Sequence, residues 1–316
     1  VDAIREGIRT AGLEARLDVR RPRPATFEEL HRVHTTTHVR SILLTEGRIH
    51  KFDADTQASP RSYEAALLAA GAVAGAVDHV LAGDLQRAFC IGRPPGHHAE
   101  AVRAMGFCLF NNVAVGAAHA LAAGLERVLI LDFDVHHGNG TQAIFWDEPR
   151  VLYVSSHAYP FYPGTGSVNE VGGGRGRGFT VNLPLPGGCG DNEYCRVYRE
   201  VVEPIGRAFD PQLVLVSAGF DAYGGDPLAG MALTAKGYAE LAAVCLDVAA
   251  GAAQGRAIFA LEGGYHLEGL ALSGAAVAGQ LLGDEPPHLD PHSAALDPLL
   301  EVYRRVLTPF WPVLAS

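Results

Sequence analysis

Seven short segments of the chain are apolar runs or alternate with a period of two: residues 17–21, 88–92, 127–133, 151–155, 179–183, 213–218 and 257–261. Runs such as Val128-Leu129-Ile130-Leu131 and Leu213-Val214-Leu215-Val216 leave no polar face. That is the pattern of a strand buried on both sides, as in a parallel sheet covered by helices. Longer segments of helical character lie between them. Residues 62–82 are alanine-rich and stop at Gly83, and residues 112–123 close at Gly124. Residues 234–250 open on Thr234, a good N-cap, and close at Gly251. Asp191 is placed to cap a helix running toward Phe209, which Pro204 should kink or split. The alternation predicts one α/β domain over residues 1–316, a three-layer α/β/α arrangement with a mostly parallel central sheet.

Composition changes this picture little. A hydrophobic share of 48% against 19% charged supports a large core and excludes global disorder. The net charge of −10 argues against nucleic acid as a partner and suits long-range attraction of a cationic substrate. The five cysteines show no CxxC spacing. Cys90, Cys108 and Cys245 lie in apolar runs, which reads as buried thiols in a reducing, cytoplasmic compartment. The longest apolar run, residues 67–77, is too short to cross a bilayer and contains Gly71 and Gly75, so no membrane partner is expected. The glycine-rich residues 172–178 lack a strand-to-helix context and read as a loop rather than a phosphate cradle.

Candidate chemistry gathers where the predicted strands end, which is where open α/β sheets bind ligands. In Leu131-Asp132-Phe133-Asp134-Val135-His136, strand alternation would send Asp132, Asp134 and His136 to one side. Two carboxylates and an imidazole are donors that Zn²⁺ accepts. His97 and His98 follow a stiff Pro94-Pro95-Gly96 turn and can supply acid–base chemistry. Asp221 follows the segment 213–218, and Tyr265 follows 257–261. Together they point to a metal-assisted hydrolase.

At these residues the chain resembles the histone deacetylase superfamily, which includes bacterial acetoin-utilisation-type and acetylpolyamine amidohydrolases and shares its fold with arginase. The resemblance rests on Arg93–Ala99, Gly106-Phe107-Cys108-Leu109-Phe110-Asn111-Asn112, Asp132–Thr141, Phe161-Tyr162-Pro163-Gly164-Thr165-Gly166, Ala218-Gly219-Phe220-Asp221-Ala222 and Leu261-Glu262-Gly263-Gly264-Tyr265. These segments occur in the family's order across nearly the whole chain. The resemblance implies Asp134, His136 and Asp221 as ligands of Zn²⁺, with Fe²⁺ also suited to such a donor set. It implies His97 and His98 as the acid–base pair, Asp132 as the partner of His97 and Asn139 as the partner of His98. A neutral amide at Asn139 should leave His98 free near neutrality. The Tyr265 hydroxyl is expected to polarise the substrate carbonyl. Phe107 and Tyr162 are expected to line a tunnel for a linear acylamine, with Gly106 and Gly264 as further substrate contacts. A structural K⁺ is implied beside Ser155, Asp132, Asp134 and His136. Relatives carry a preceding strand and a His-Pro-Glu-Arg-Pro-like segment, so this chain is expected to lack its N-terminal strand.

The remaining histidines have plainer readings. His137 points away from the ligand face and reads as a buried second layer, while His31, His34, His38, His79, His119, His288 and His292 read as surface or core residues. Asp53 and Asp55 read as solvated loop charges ahead of a contact to substrate backbone. The expected reaction is hydrolysis of an N-acetyl amide, from an acetyl-lysine peptide or protein, an acetylpolyamine or a small acylamide. Gly47–Pro60 shows no long insertion, which favours an open site over that of an acetylpolyamine enzyme. An arginase-like ureohydrolase would need a second carboxylate set, and His137-Gly138-Asn139-Gly140 supplies none. A silent acyl-lysine-binding module would lack a ligand or Tyr265, and both are present. The sequence leaves the oligomeric state open.

Overall fold

Six of the seven apolar segments become strands of one sheet. The computed structural model describes residues 1–287, 289 and 293–315, so His288 and His292 lie outside the described residues. The helices are α1 (Asp2–Thr10), α2 (Phe27–His31), α3 (Thr36–Leu43), α4 (Ser62–Ala82), α5 (Asn112–Ala122), α6 (Asn139–Phe145), α7 (Asp191–Val197), α8 (Glu203–Phe209), α9 (Ala235–Ala252), α10 (Leu267–Leu281) and α11 (Asp297–Leu307). The strands are β1 (His50–Lys51), β2 (Gln57–Ala58), β3 (Arg87–Cys90), β4 (Val128–Asp132), β5 (Val151–Ala158), β6 (Thr180–Leu185), β7 (Leu213–Ala218) and β8 (Ala257–Leu261). The sheet order is β3-β8-β7-β4-β5-β6, and every pairing in it is parallel.

The unbroken apolar runs have the predicted cause. Leu129 and Leu131 of β4 with Val214 and Val216 of β7 join a core formed with α1 and α7 to α11. Val128, Ile130, Leu213 and Leu215 face a second core built with α2 to α5. Each strand therefore buries both faces, and burial of this kind stabilises by about 25 cal/mol per Å² of apolar surface removed from water. By length and composition alone α4 could cross a membrane. Here it lies in the second core, with Ala66, Ala70, Val73, Ala74 and Val77 buried.

Three local readings change. Residues 17–21 form no strand: Val19 is 78% exposed, and Pro22 and Pro24 remove the donors that a ladder would need. The short β1–β2 hairpin had no apolar run to announce it. Helix α9 continues through Gly251 to Ala252, and the left-handed residues that end it are Gln254 and Gly255. The segment from Asp191 to Phe209 stays helical throughout, but a π turn at Tyr198–Val202 interrupts its α-helical ladder just ahead of Pro204, which has no N–H to donate. Asp191 caps a different helix from the one expected. Its carboxylate accepts from Thr234 N (2.8 Å) and Thr234 Oγ1 (2.6 Å), tying α7 to the start of α9.

Candidate active site

Five neighbouring strands feed one rim. In sheet order β3, β8, β7, β4 and β5 end side by side, and the chain leaving each one contributes. His97 and His98 follow β3, Glu262 and Tyr265 follow β8, and Asp221 follows β7. Asp132 ends β4 with Asp134 and His136 just beyond, and Phe161 and Tyr162 follow β5. Asp132 pairs in register with Ser155 on one side and Ser217 on the other, which keeps the three strand ends level.

Strand β4 stops at Asp132, so alternation is not what gathers Asp134 and His136. Hydrogen bonds from backbone to carboxylate do it instead. Asp132 Oδ1 accepts from Asp134 N (3.1 Å), Asp134 Oδ1 from His136 N (2.9 Å), and Asp221 Oδ1 from Val135 N (2.9 Å). Gly263 N donates to Asp134 Oδ2 (2.8 Å). A Cβ at Gly219 or Gly263 would overlap the carboxylate of Asp134 or Asp221, so only glycine lets the backbone lie this close.

The donor atoms of Asp134, His136 and Asp221 lie within 4.8 Å of one another. His136 Nδ1 is 3.1 Å from Asp134 Oδ1 and 3.1 Å from Asp221 Oδ2. Donors around a tetrahedral zinc sit roughly 3.3 Å apart, given bonds of about 2.0–2.1 Å. Asp221 Oδ2 is buried and accepts no hydrogen bond among the described residues. Burial and the neighbouring Asp134 push the Asp221 carboxyl up, while both carboxylates hold His136 at about 10 against its own burial. Mutually repelling carboxylates, an orphaned acceptor and ligand spacing all fit a divalent cation with a coordination position facing the pocket.

Beside this cluster the two histidines are held in opposite electrostatic states. Glu262 Oε2 accepts from Gly96 N (2.6 Å) and His97 N (3.1 Å), and Glu262 Oε1 accepts from Ser217 Oγ (3.0 Å). The imidazole rings lie 4.0 Å apart between centroids. His97 Nδ1 is 3.1 Å from Asp132 Oδ2, which also accepts from the Tyr153 hydroxyl (3.0 Å). Burial would lower His97, but Asp134, Asp132 and Glu262 outweigh it and hold the ring at about 10. Burial and then the His97 charge drive His98 well below its ordinary 6.5.

His98 Nδ1 faces Asn139 Oδ1 at 2.8 Å. Asn139 Nδ2 donates to Glu100 Oε1 (2.9 Å), and because a carboxylate only accepts, the amide orientation is fixed. Neutral His98 thus carries its proton on Nδ1 and keeps a lone pair on Nε2. The hydrogen bond to Asn139 works to raise His98, and burial with the His97 charge outweighs it.

Above the cluster is a pocket of about 180 Å³ whose walls include Asp55, Phe107, Phe161, Tyr162, Leu228 and Tyr265. Phe107 and Tyr162 are 41% and 38% exposed, so they are walls and not core. Tyr162 meets His98 edge-on at 5.1 Å, and Phe107 meets Tyr265 edge-on at 6.1 Å. Phe107 has φ +67°, a costly conformation for an aromatic residue, steadied by Phe107 N donating to Thr56 Oγ1 (3.2 Å). Gly106 also lines the pocket, and a Cβ there would overlap the His98 ring. Burial, then Asp221 and Asp134, raise the Tyr265 phenol, so its hydroxyl stays protonated.

Gly264 does not line the pocket. It has φ +124°, and a Cβ there would sit 2.8 Å from Leu270 Cδ2, so its demand is conformational; its neighbour Gly263 joins Gly106 at the wall. Asp55 lines the pocket while staying exposed, a solvated charge at its mouth. Asp53 closes its own loop, with Oδ1 accepting from Asp55 N (2.9 Å) and Thr56 N (2.6 Å). His137 is buried as expected between Thr165 Oγ1 (2.7 Å) and Gln142 Oε1 (3.1 Å). Ser155 is buried with Oγ 2.9 Å from His157 Nδ1.

Sequence reasoning gave no role to Glu262, Tyr153, Phe161, His34 or Asp226. Phe161 stacks on His136 at 5.4 Å. His34 Nε2 accepts from Asn111 N (2.9 Å), bracing the loop that carries Gly106 and Phe107. A charged Glu262 directly after a buried apolar strand was the one available signal among these.

The whole chain has the company this geometry suggests. A family model described as "Histone deacetylase domain" matches residues 1–281. The chain is 44% identical over 303 residues to Histone deacetylase 15 of Arabidopsis thaliana, covering 93% of this chain and 54% of that protein. It is 44% identical over 248 residues to a protein named "Probable deacetylase" from Archaeoglobus fulgidus, covering 78% of this chain and 69% of that protein. The chain thus spans about half the length of the plant relative and about two thirds of the archaeal one. The crystal structure of the HDA15 HD domain superposes with a TM-score of 0.93 at 42% identity, covering 99% of this chain and 88% of that one. A two-carboxylate, one-imidazole cluster under an aromatic pocket, on a fold matched from end to end, places this chain in the histone deacetylase family.

Proposed function

We propose that the chain is a metal-dependent amidohydrolase that removes the acetyl group from an N-acetyl amine, with Zn²⁺ as the resident ion and Fe²⁺ as the alternative. The observation that carries this reading is the donor cluster of Asp134, His136 and Asp221 at the floor of a pocket walled by aromatic rings. When bound, a divalent ion there supplies Lewis-acid polarisation of the amide carbonyl and acidifies water.

The chain's own groups do the rest. His98 Nε2 accepts the proton of the attacking water and returns it to the leaving nitrogen, so that water and amide become acetate and amine. His97, held up against its burial by Asp134, Asp132 and Glu262, carries positive charge beside the reacting centre and keeps His98 from protonating early. The Tyr265 hydroxyl donates to the developing oxyanion. Phe107, Phe161 and Tyr162 enclose an apolar stem and exclude bulk water.

A linear stem with an acetylated end describes acetyl-lysine in a peptide or protein, and this is the favoured substrate. Acetylpolyamine is a second reading, supported by the Asp55 carboxylate at the wall, which suits a cationic chain. A K⁺ beside Ser155 and a cytoplasmic setting belong to the same proposal. Acetate release from acetyl-lysine peptides, acetylpolyamines and small acetamides by zinc-reconstituted protein tests it. Turnover of one class supports the reading. Binding of acetyl-lysine without turnover in zinc-loaded protein would show a recognition module instead.

A further inference from the structure

The Tyr265 loop is anchored at both ends, and the second anchor is a carboxylate outside the cluster described above. At its start Phe220 N donates to Gly263 O (2.9 Å) and Gly263 N to Asp134. At its end Asp226 Oδ2 accepts from Tyr265 N (2.7 Å) and His266 N (3.1 Å). Asp226 Oδ1 accepts from Leu228 N (3.0 Å). One carboxylate, 9% exposed, thus gathers three backbone donors from two loops. Each loop carries a wall of the pocket, Tyr265 on one and Leu228 on the other. The Tyr223 ring stacks on His266 at 5.3 Å and 22°, closing the same junction from the side. Asp226 also stands at the N-terminus of α10, whose first residue is Leu267, where the helix dipole favours an anion.

We propose that Asp226 is the positioning residue for Tyr265: it fixes the backbone from which the phenol reaches the reacting carbonyl, and through Leu228 it fixes a second part of the pocket wall. This rests on the oxyanion role proposed above for Tyr265. Between Gly264, which has φ +124°, and the first turn of α10, no other side chain among those described accepts the Tyr265 amide proton. The two oxygens divide the work. Asparagine can present its single carbonyl oxygen to Tyr265 N and His266 N, but its amide group would then face the Leu228 donor. Alanine supplies neither.

The test is a double-mutant cycle of Asp226 and Tyr265 on zinc-loaded protein with a fluorogenic Nε-acetyl-lysine peptide, alongside amide hydrogen exchange. Asp226→Ala should lower kcat by about tenfold to a hundredfold, the scale of a misplacement near 1 Å. It should also speed exchange at Tyr265 and His266. In the Tyr265→Phe background the same change should alter kcat by less than about threefold, because the group being positioned is gone. Asp226→Asn, which is conservative enough to fold, should hold kcat near the wild-type value and move KM instead. A fall in kcat that persists undiminished in the Tyr265→Phe background, for either variant, overturns the positioning role and leaves the Tyr265 reading intact. An unchanged kcat in Tyr265→Phe alone overturns both.

Discussion

Glu262 offers a test of the buried electrostatics that does not depend on activity. Its carboxyl is fully buried, and burial raises it from an ordinary 4.5 to about 7, even though His97 and the amide of Gly96 favour the anion. Between pH 4.5 and about 7 the unfolded chain has lost a proton that the folded chain keeps, so this group makes stability fall as pH rises through that window. Below 4.5 both states are protonated and it contributes nothing; above about 7 the full penalty is present, about 3 kcal/mol at roughly 1.4 kcal/mol per pH unit. Glu262→Gln does not titrate. Its carbonyl can still accept from Gly96 N and His97 N, and its amide can donate to Ser217 Oγ. Measured by urea unfolding of the metal-free protein, the variant should gain on wild type by about 3 kcal/mol between pH 4.5 and 8. If it instead loses ground as pH rises, the anion is the favoured form of Glu262 and the cost of burial argued here is wrong.

Three further outcomes follow from the geometry. His98→Ala should lower kcat by about a hundredfold or more while zinc stays bound, and near-normal turnover would place the base elsewhere. Gly263→Ala drives a methyl group into the Asp134 and Asp221 carboxylates, so zinc affinity measured by competition with a chelator should fall about tenfold or more. Phe107→Ala should raise KM for an acetyl-lysine peptide by about tenfold, the scale of one lost apolar contact surface, with kcat changed less; a pure kcat effect would contradict its place in the wall.

Much of this was legible because burial on two faces writes itself into a chain. Val128-Leu129-Ile130-Leu131 admits few structures other than a central parallel strand, and once the strands are placed their carboxyl ends nominate the site. Strand ends together with the family resemblance nominated Asp134, His136 and Asp221, although alternation is not what gathers Asp134 and His136. The strand stops at Asp132, and backbone-to-carboxylate hydrogen bonds gather the rest. What stayed hidden acts through backbone amides. Glu262 and Asp226 touch N–H groups of His97 and Tyr265, and no periodicity marks a residue whose partner is main chain far along the sequence. Val19 misled for the opposite reason, since alternation in Leu17-Asp18-Val19-Arg20 gives a strand signal that no neighbouring strand answers.

The central claim is that Asp134, His136 and Asp221 hold the ion on which amide hydrolysis depends. The most direct test measures zinc bound per chain and acetate released from an acetyl-lysine peptide, for wild type and Asp221→Ala, after chelation and again after zinc is restored. The wild type should lose turnover with its metal and recover it at stoichiometric zinc, while Asp221→Ala should bind none and release no acetate. Turnover that survives complete chelation, or an Asp221→Ala chain that keeps stoichiometric zinc, would contradict the account.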